Sequence, residues 1–415
     1  MSRRWGLFTV FALVATLAAS SPSHAAQFWL WPGAQIAEIY DDNFHFTPIG
    51  RQGDWVTTEL LSATLEAEAP RRSFFLTYQT LMFEAAHNPG ADSFGKNHFV
   101  GLRDAEHLTA NTDLYVTDSF LVGNAVGGGL LTGANGPITA QLSESLIYKS
   151  SAISNNFALD MISKYSEDLT WSANLHQYLL VDTSSGSSTT ASEYNFGQGG
   201  AAAADYRIAG LLTAGLGYQF DDFRFSNTSL PTSEDNWPQL RIGWGVKTNF
   251  SITAQAGPII YNSSSGTVGT KSVSSKVTVD AGFLVAATYT ARRWSIEATA
   301  GQTPGLSAGV SGAATDRIFG LLGQYRLTRQ TTAFVNSGYL DISGSGSFSR
   351  IITYTAGLAY QVNPAISFTG QYLGYRALIS GASASALVAS PGSEAVANFF
   401  MFGVVLTPRP FRWSM

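Results

Sequence analysis

Cysteine is absent from all 415 residues. The chain therefore has no disulfide, no thiolate metal ligand and no thiol nucleophile. Charge is also scarce: Asp, Glu, Lys and Arg make up 13% of the chain, about half of the roughly 25% usual in globular domains. That is too little to coat a water-facing surface of this size. Long apolar runs form the third shortage. Only residues 5–17 approach one, and no later stretch supplies the roughly 18 consecutive apolar residues that a membrane-spanning helix needs. Among six histidines there is neither an H-E-x-x-H sequence nor a pair at metal-ligand spacing, so no metal centre and no cofactor is expected.

What fills the chain is alternation. In residues 277–289, Val277, Val279, Ala281, Phe283, Val285, Ala287 and Tyr289 take one face, and Thr278, Asp280, Gly282, Ala286 and Thr288 the other. Leu212, Ala214, Leu216, Tyr218 and Phe220 repeat the pattern against Thr213, Gly215, Gly217, Gln219 and Asp221. Ile352, Tyr354, Ala356, Leu358 and Tyr360 repeat it against Thr353, Thr355, Gly357 and Gln361. Strand side chains point to opposite faces in turn, so each segment has one greasy face and one small, polar face. Hydrocarbon is the solvent that suits the greasy face. Within a bilayer every backbone amide must be paired inside the protein, which only helices and closed barrels achieve. With helices excluded, the expected fold is all-β: a single transmembrane antiparallel outer-membrane β-barrel.

The N-terminus indicates the route to that membrane. Arg3 and Arg4 precede the apolar run, and Ser23-His24-Ala25 places small residues at the outer positions of an A-x-A-like cleavage site. Residues 1–25 are expected to be a signal peptide and 26–415 the barrel. Removing the leader leaves 22 basic side chains against 29 acidic ones, which argues against nucleic acid as a partner. The expected location is the cell outer membrane. Expected partners are outer-membrane lipid and lipopolysaccharide, the barrel assembly machinery and, for an export role, periplasmic polysaccharide export proteins and their polysaccharide.

Long polar or Gly/Ser-rich breaks alternate with tight ones such as Lys247-Thr248-Asn249, Ala291-Arg292-Arg293, Thr328-Arg329-Gln330 and Asn363-Pro364. This is the rhythm of extracellular loops and periplasmic turns. Residues 342–347 are counted among the longer breaks. Tyr289, Tyr325 and Tyr360 stand two or three residues before tight breaks, as an aromatic girdle requires. Nineteen strand candidates appear, yet a bacterial barrel with both ends in the periplasm needs an even number. The surplus lies between Asn124 and Asp168, where residues 137–149, 153–163 and 169–181 all read as strands. Eighteen strands are expected, within a range of 16 to 20. Residues 398–407 look like a terminal barrel strand, but Pro408 and Pro410 follow it, and proline cannot donate to a ladder. The register of the closing strand is therefore open.

Near the N-terminus, Ala37-Glu38-Ile39-Tyr40-Asp41-Asp42-Asn43-Phe44 resembles the first strand and the "Y-x-D-N" turn of the β-barrel porin 2 family. Residues 55–68, followed by Arg71-Arg72-Ser73-Phe74-Phe75-Leu76-Thr77-Tyr78, are similar to its second and third strands. That family is associated with bacterial exopolysaccharide genes, so the resemblance implies an outer-membrane barrel serving polymer secretion and no catalytic residue.

Three functions follow. The first is a conduit or accessory in exopolysaccharide export, because barrels of 16 to 18 strands enclose a water-filled lumen. Side chains expected to line it include Ser62, Thr64, Asp160, Gln219, Gln371 and Arg376. Its candidate charges are Glu66, Glu68, Arg241, Lys276, Asp280 and Arg326. The alternative is a general diffusion porin for small solutes, marked by acidic residues facing a basic cluster across the bore. The chargeless loop 124–136 counts against a loop-borne eyelet of that kind. The third is a structural outer-membrane protein or a barrel enzyme. His176 shares a strand face with Ser172 and Asn174, but alternation alone produces such trios in a Ser- and Asn-rich barrel, and the chain is read as non-enzymatic. Asp41-Asp42-Asn43 with Asp54 lacks the ligand spacing of a calcium loop and suits turn chemistry.

Overall fold

The computed structural model describes residues 27–43, 51–88, 97–124, 151–182, 194–225, 232–247, 249–264, 266–268, 271–304, 315–344, 347–380 and 394–414. The expected signal peptide and the strand candidate 137–149 lie outside them. No described helix is long and apolar enough to cross a membrane.

Eighteen long strands form the wall. In chain order they are β1 (Gln27–Asp41), β2 (Asp54–Ala69), β3 (Arg72–Ala85), β4 (Asn97–Thr109), β5 (Thr112–Asn124), β6 (Ser151–Lys164), β7 (Leu169–Asp182), β8 (Tyr194–Ala209), β9 (Leu212–Phe225), β10 (Ser233–Lys247) and β11 (Phe250–Ser263). After a small hairpin, β12 (Gly266–Val268) and β13 (Lys271–Val273), come β14 (Lys276–Thr290), β15 (Trp294–Pro304), β16 (Thr315–Arg326), β17 (Thr331–Gly344), β18 (Ser347–Asn363), β19 (Ile366–Ser380) and β20 (Glu394–Leu406). A short β21 (Phe411–Ser414) ends the described chain. Each wall strand pairs antiparallel with its neighbours in sequence, β14 follows β11, and β20 returns to β1, which closes the barrel. β5 pairs directly with β6 and β6 with β7, so the wall takes two strands where the sequence offers three. The count comes out even.

At one rim the connections run two to four residues, as at 70–71, 165–168 and 364–365. We orient this rim to the periplasm because short turns belong there. The opposite rim carries the longer connections, with one departure from the sequence reading. β17 extends to Gly344 and β18 starts at Ser347, so the break expected at 342–347 shrinks to two residues. Ser343 and Ser349 are polar, but backbone pairing continues through polar residues once the hairpin has begun.

The closing strand comes in two pieces. β20 pairs with Ala34–Asp41 of β1, the Pro408–Pro410 stretch interrupts, and β21 resumes on Gln27–Leu30. Two prolines cannot feed amides into the ladder, so they occupy the gap between the two paired blocks. Phe28 stacks on Trp413 with ring centroids 5.8 Å apart. At the extracellular end the Asp-Asn turn ties the same junction. Asn398 donates its backbone N–H (2.7 Å) and its side-chain amide (2.6 Å) to the Asp42 carboxylate. The Asn43 amide donates to the Val396 carbonyl at 2.8 Å, and the Asn43 N–H donates to Asp41 Oδ1. Turn chemistry thus accounts for Asp41-Asp42-Asn43.

The outer face is apolar. Leu216 is 65% exposed, Phe283 45% and Leu358 51%, while Asp221 on the opposite face of β9 is 1% exposed. These leucines and phenylalanines meet no protein core, and lipid is the environment that suits them. Tyr289, Trp294, Tyr325 and Tyr360 ring the periplasmic end, Trp294 and Tyr325 with centroids 4.8 Å apart.

Candidate functional site

Strand parity fixes what the lumen sees. Glu66, Glu68, Arg241, Lys276, Asp280 and Arg326 all have inward parity in the register. They do not converge. Glu66, Glu68 and Arg326 lie toward the periplasmic mouth, Lys276 stands at the extracellular start of β14, and Arg241 and Asp280 occupy the wall between. Arg376 is a correction: its register partner is Ile352, on the outward face of β18, so it faces out at the rim. Gln371, five residues earlier and of the other parity, does face in and reaches Met401.

The inner face is also less uniformly polar than alternation suggests. Ile39, Val56, Phe83, Leu373, Tyr375 and Phe399 belong to a buried cluster on the extracellular halves of β1–β3 and β18–β20. A second cluster joins Trp237, Ile259 and Tyr261 to Leu284. These side chains bury one another, which removes the need for water against that part of the wall.

Charge in the remaining lumen is organised by glycine. His176 on β7, Gly199 on β8 and Asp221 on β9 are consecutive register partners. Because Gly199 has no side chain, His176 Nε2 reaches Asp221 Oδ1 across the intervening strand at 2.7 Å. The other ring nitrogen, Nδ1, faces Asn174 Oδ1 at 2.8 Å, and the Asn174 amide donates to Asp160 at 2.7 Å. Gln219 donates to the second Asp221 oxygen at 2.7 Å. The same device recurs lower in the wall. Asp205, Gly215 and Arg241 are register partners on β8, β9 and β10. Arg241 Nε donates to Asp205 Oδ1 over Gly215 at 3.2 Å. An ordinary side chain at either glycine would separate the pair. The His176 relay includes Asn174 but not Ser172.

A cavity of about 1020 Å³ spans the lumen, at the top of the range of roughly 300–1,000 Å³ occupied by small-molecule sites. One side is formed by β3–β7, with Phe75, Thr77, Phe99, Arg103, Asn156 and His176. The facing side is formed by β15–β18, with Thr299, Thr303, Asp316 and Thr353. Arg103 makes no ion pair among the described residues, and its register partners are Phe75 and Thr117. The Arg103 cation thus stands on one wall of the chamber and the Asp316 carboxylate on the other. Arg103 and the His176–Asp221 bridge were not singled out as a pair by the sequence. The signal was present in the inward parity of Phe75, Arg103 and Thr117, but pairing across β8 depends on register that sequence alone does not specify. Among the described residues no group of acidic and histidine side chains is placed to hold a metal ion.

No protein-family model matches the chain, and neither does any curated protein. Among solved structures the chain is similar to OccK5 (OpdH) of Pseudomonas aeruginosa, at 13% identity over 92% of this chain and 98% of that one, with a TM-score of 0.42. It is similar to OccK2 (OpdF) of the same organism, solved in complex with glucuronate, at 11% identity over 92% and 98%, with a TM-score of 0.44. The siderophore receptor PirA, also from Pseudomonas aeruginosa, is 9% identical over 94% of this chain and 81% of that one, with a TM-score of 0.44. A closed eighteen-stranded barrel with an apolar outside and a chambered, polar inside is an outer-membrane protein.

Proposed function

We propose that this protein is an outer-membrane channel for the diffusion of small solutes, not an enzyme and not a dedicated exopolysaccharide exit. The chamber carries this reading. It lies in the bore, is lined from diametrically opposed strands, and sets Arg103 against Asp316. Facing charges of opposite sign are the feature expected of a small-solute porin, and here strands of the wall supply them in place of an inward-folded loop. Such groups act strongly on a solute because the enclosing protein screens them less than bulk water does. Neutral hydroxyls and amides between them, such as Thr77, Asn156 and Thr353, offer hydrogen bonds to solutes shedding water.

Planar-bilayer recording of the purified protein tests the reading. An ohmic conductance is expected under a potassium chloride gradient. Arg103→Ala should shift the reversal potential toward potassium, and Asp316→Asn toward chloride. A closed barrel, or a pore whose ion preference ignores both substitutions, would show that the chamber is not the path.

A further inference from the structure

Tryptophan is expected on the outside of a barrel, at the headgroups, yet Trp29 and Trp31 point inward at the periplasmic mouth. Their parity is that of buried Ala37 and Ile39 on the same strand, opposite to lipid-facing Ile36. Trp31 remains 43% exposed, and its indole N–H is held by Glu66 at 2.7 Å. Arg412 covers one side of Trp29, its guanidinium carbon 5.6 Å from the ring centroid, and is itself anchored by Gln27 at 2.7 Å. From this mouth the inner register rows climb the wall. Trp29 leads through Glu66 to Phe75 and Arg103, and Trp31 leads through Thr64 and Thr77 to Gly101. The Phe99 ring lies against Gly101, where an added Cβ would come within 2.9 Å of it. The chamber adds Tyr178 and Asn156 on the same side.

We propose that this patch of adjacent inward rows is a saccharide-binding track: Trp31, Phe75 and Phe99 offer ring faces to the apolar faces of pyranose units, and Glu66, Thr77 and Asn156 hydrogen-bond their hydroxyls. Neither feature alone points to sugar. Exposed aromatic faces inside a wet bore have no lipid to meet, and hydroxyl and amide groups alone suit any polar solute. Interleaved on three adjacent register rows of one wall, they match a ligand that is flat and apolar on one side and polyhydroxylated at its edges. The proposal deepens the channel reading and rests on it for access from both membrane faces.

The test uses maltohexaose as probe in single-channel recordings of the full chain. Reversible block is expected, and a polyethylene glycol of equal size should not reproduce it. Trp31→Ala should weaken block about tenfold, the factor given by one lost aromatic contact of about 1.4 kcal/mol. Trp31→Phe should keep most of it, and Trp244→Ala, on the lipid face, should change nothing. Block that survives Trp31→Ala combined with Phe75→Ala overturns the track, as does equal block by the polyether or no block of an open pore. A protein that never conducts defeats the channel reading instead. Calorimetric titration of the detergent-solubilised protein with maltohexaose then decides: saturable heat that is lost in Trp31→Ala and kept in Trp31→Phe upholds the site, and its absence overturns it.

Discussion

Replacing Gly199 by alanine puts a methyl group where two side chains already meet. A Cβ built there lies 2.7 Å from His176 Nε2, 2.5 Å from the Phe220 carbonyl oxygen and closer still to Asp221 Oδ1. The His176–Asp221 hydrogen bond must break. A hydrogen bond involving a charged group contributes roughly 1.5–3 kcal/mol, and a buried carboxylate that loses its partner raises the cost toward roughly 3–5 kcal/mol. Gln219 still serves one Asp221 oxygen, so a loss of about 3 kcal/mol is expected. Gly200 provides the control, because its side chain would project outward. Its Cβ would meet Leu175 Cδ2 and the Asn174 carbonyl at 3.0 Å, and exposed Leu175 can swing aside. Gly200→Ala should therefore cost under about 1 kcal/mol, offset in part by the reduced freedom of the unfolded chain. Urea titration of the barrel folded in lipid vesicles, followed by tryptophan fluorescence, measures both. In a His176→Ala background the Gly199→Ala penalty should fall by about 2 kcal/mol, since the bridge is already gone. Equal stability of the two glycine variants, or a penalty undiminished by the loss of His176, would refute the role assigned to Gly199.

Two further outcomes follow from the geometry. Asp42→Ala removes the acceptor of two Asn398 hydrogen bonds and should lower unfolding stability by roughly 2 kcal/mol, read as an earlier urea midpoint; an unshifted midpoint would mean that the turn does not hold the junction. Leu216→Arg, on the lipid face, should cost roughly 2–4 kcal/mol, whereas Gln219→Arg, three residues on and facing the bore, should leave the midpoint within about 1 kcal/mol of it; the opposite order would invert the assigned faces.

Much of the fold was legible because lipid imposes a two-residue period that nothing local can override. Leu216, Phe283 and Leu358 read as outward from alternation alone, and they are. Even the surplus strand between 124 and 168 was detectable, from parity. Illegible was anything that depends on which residues become neighbours two strands apart. Asp205 and Arg241 are 36 positions apart in sequence, and only the register over Gly215 joins them. Arg376 was misplaced because its polarity was taken as inward although it stands at the opposite parity from Gln371 on the same strand, and alternating side chains cannot share a face. The inward apolar clusters escaped for a different reason. Ile39 and Phe399 are hydrophobic residues on the hydrophilic side, and alternation assigns sides without saying what fills them.

The split closing strand has a consequence for how this chain could be cut and rejoined. Gln27 and Ser414 are cross-strand partners, so their backbones lie about 5 Å apart, the spacing of adjacent strands. A linker of a few residues from Ser414 to Gln27 would therefore make the wall one continuous ring of chain. New ends could then be opened at any hairpin, because the order of strands around the cylinder has no intrinsic first member.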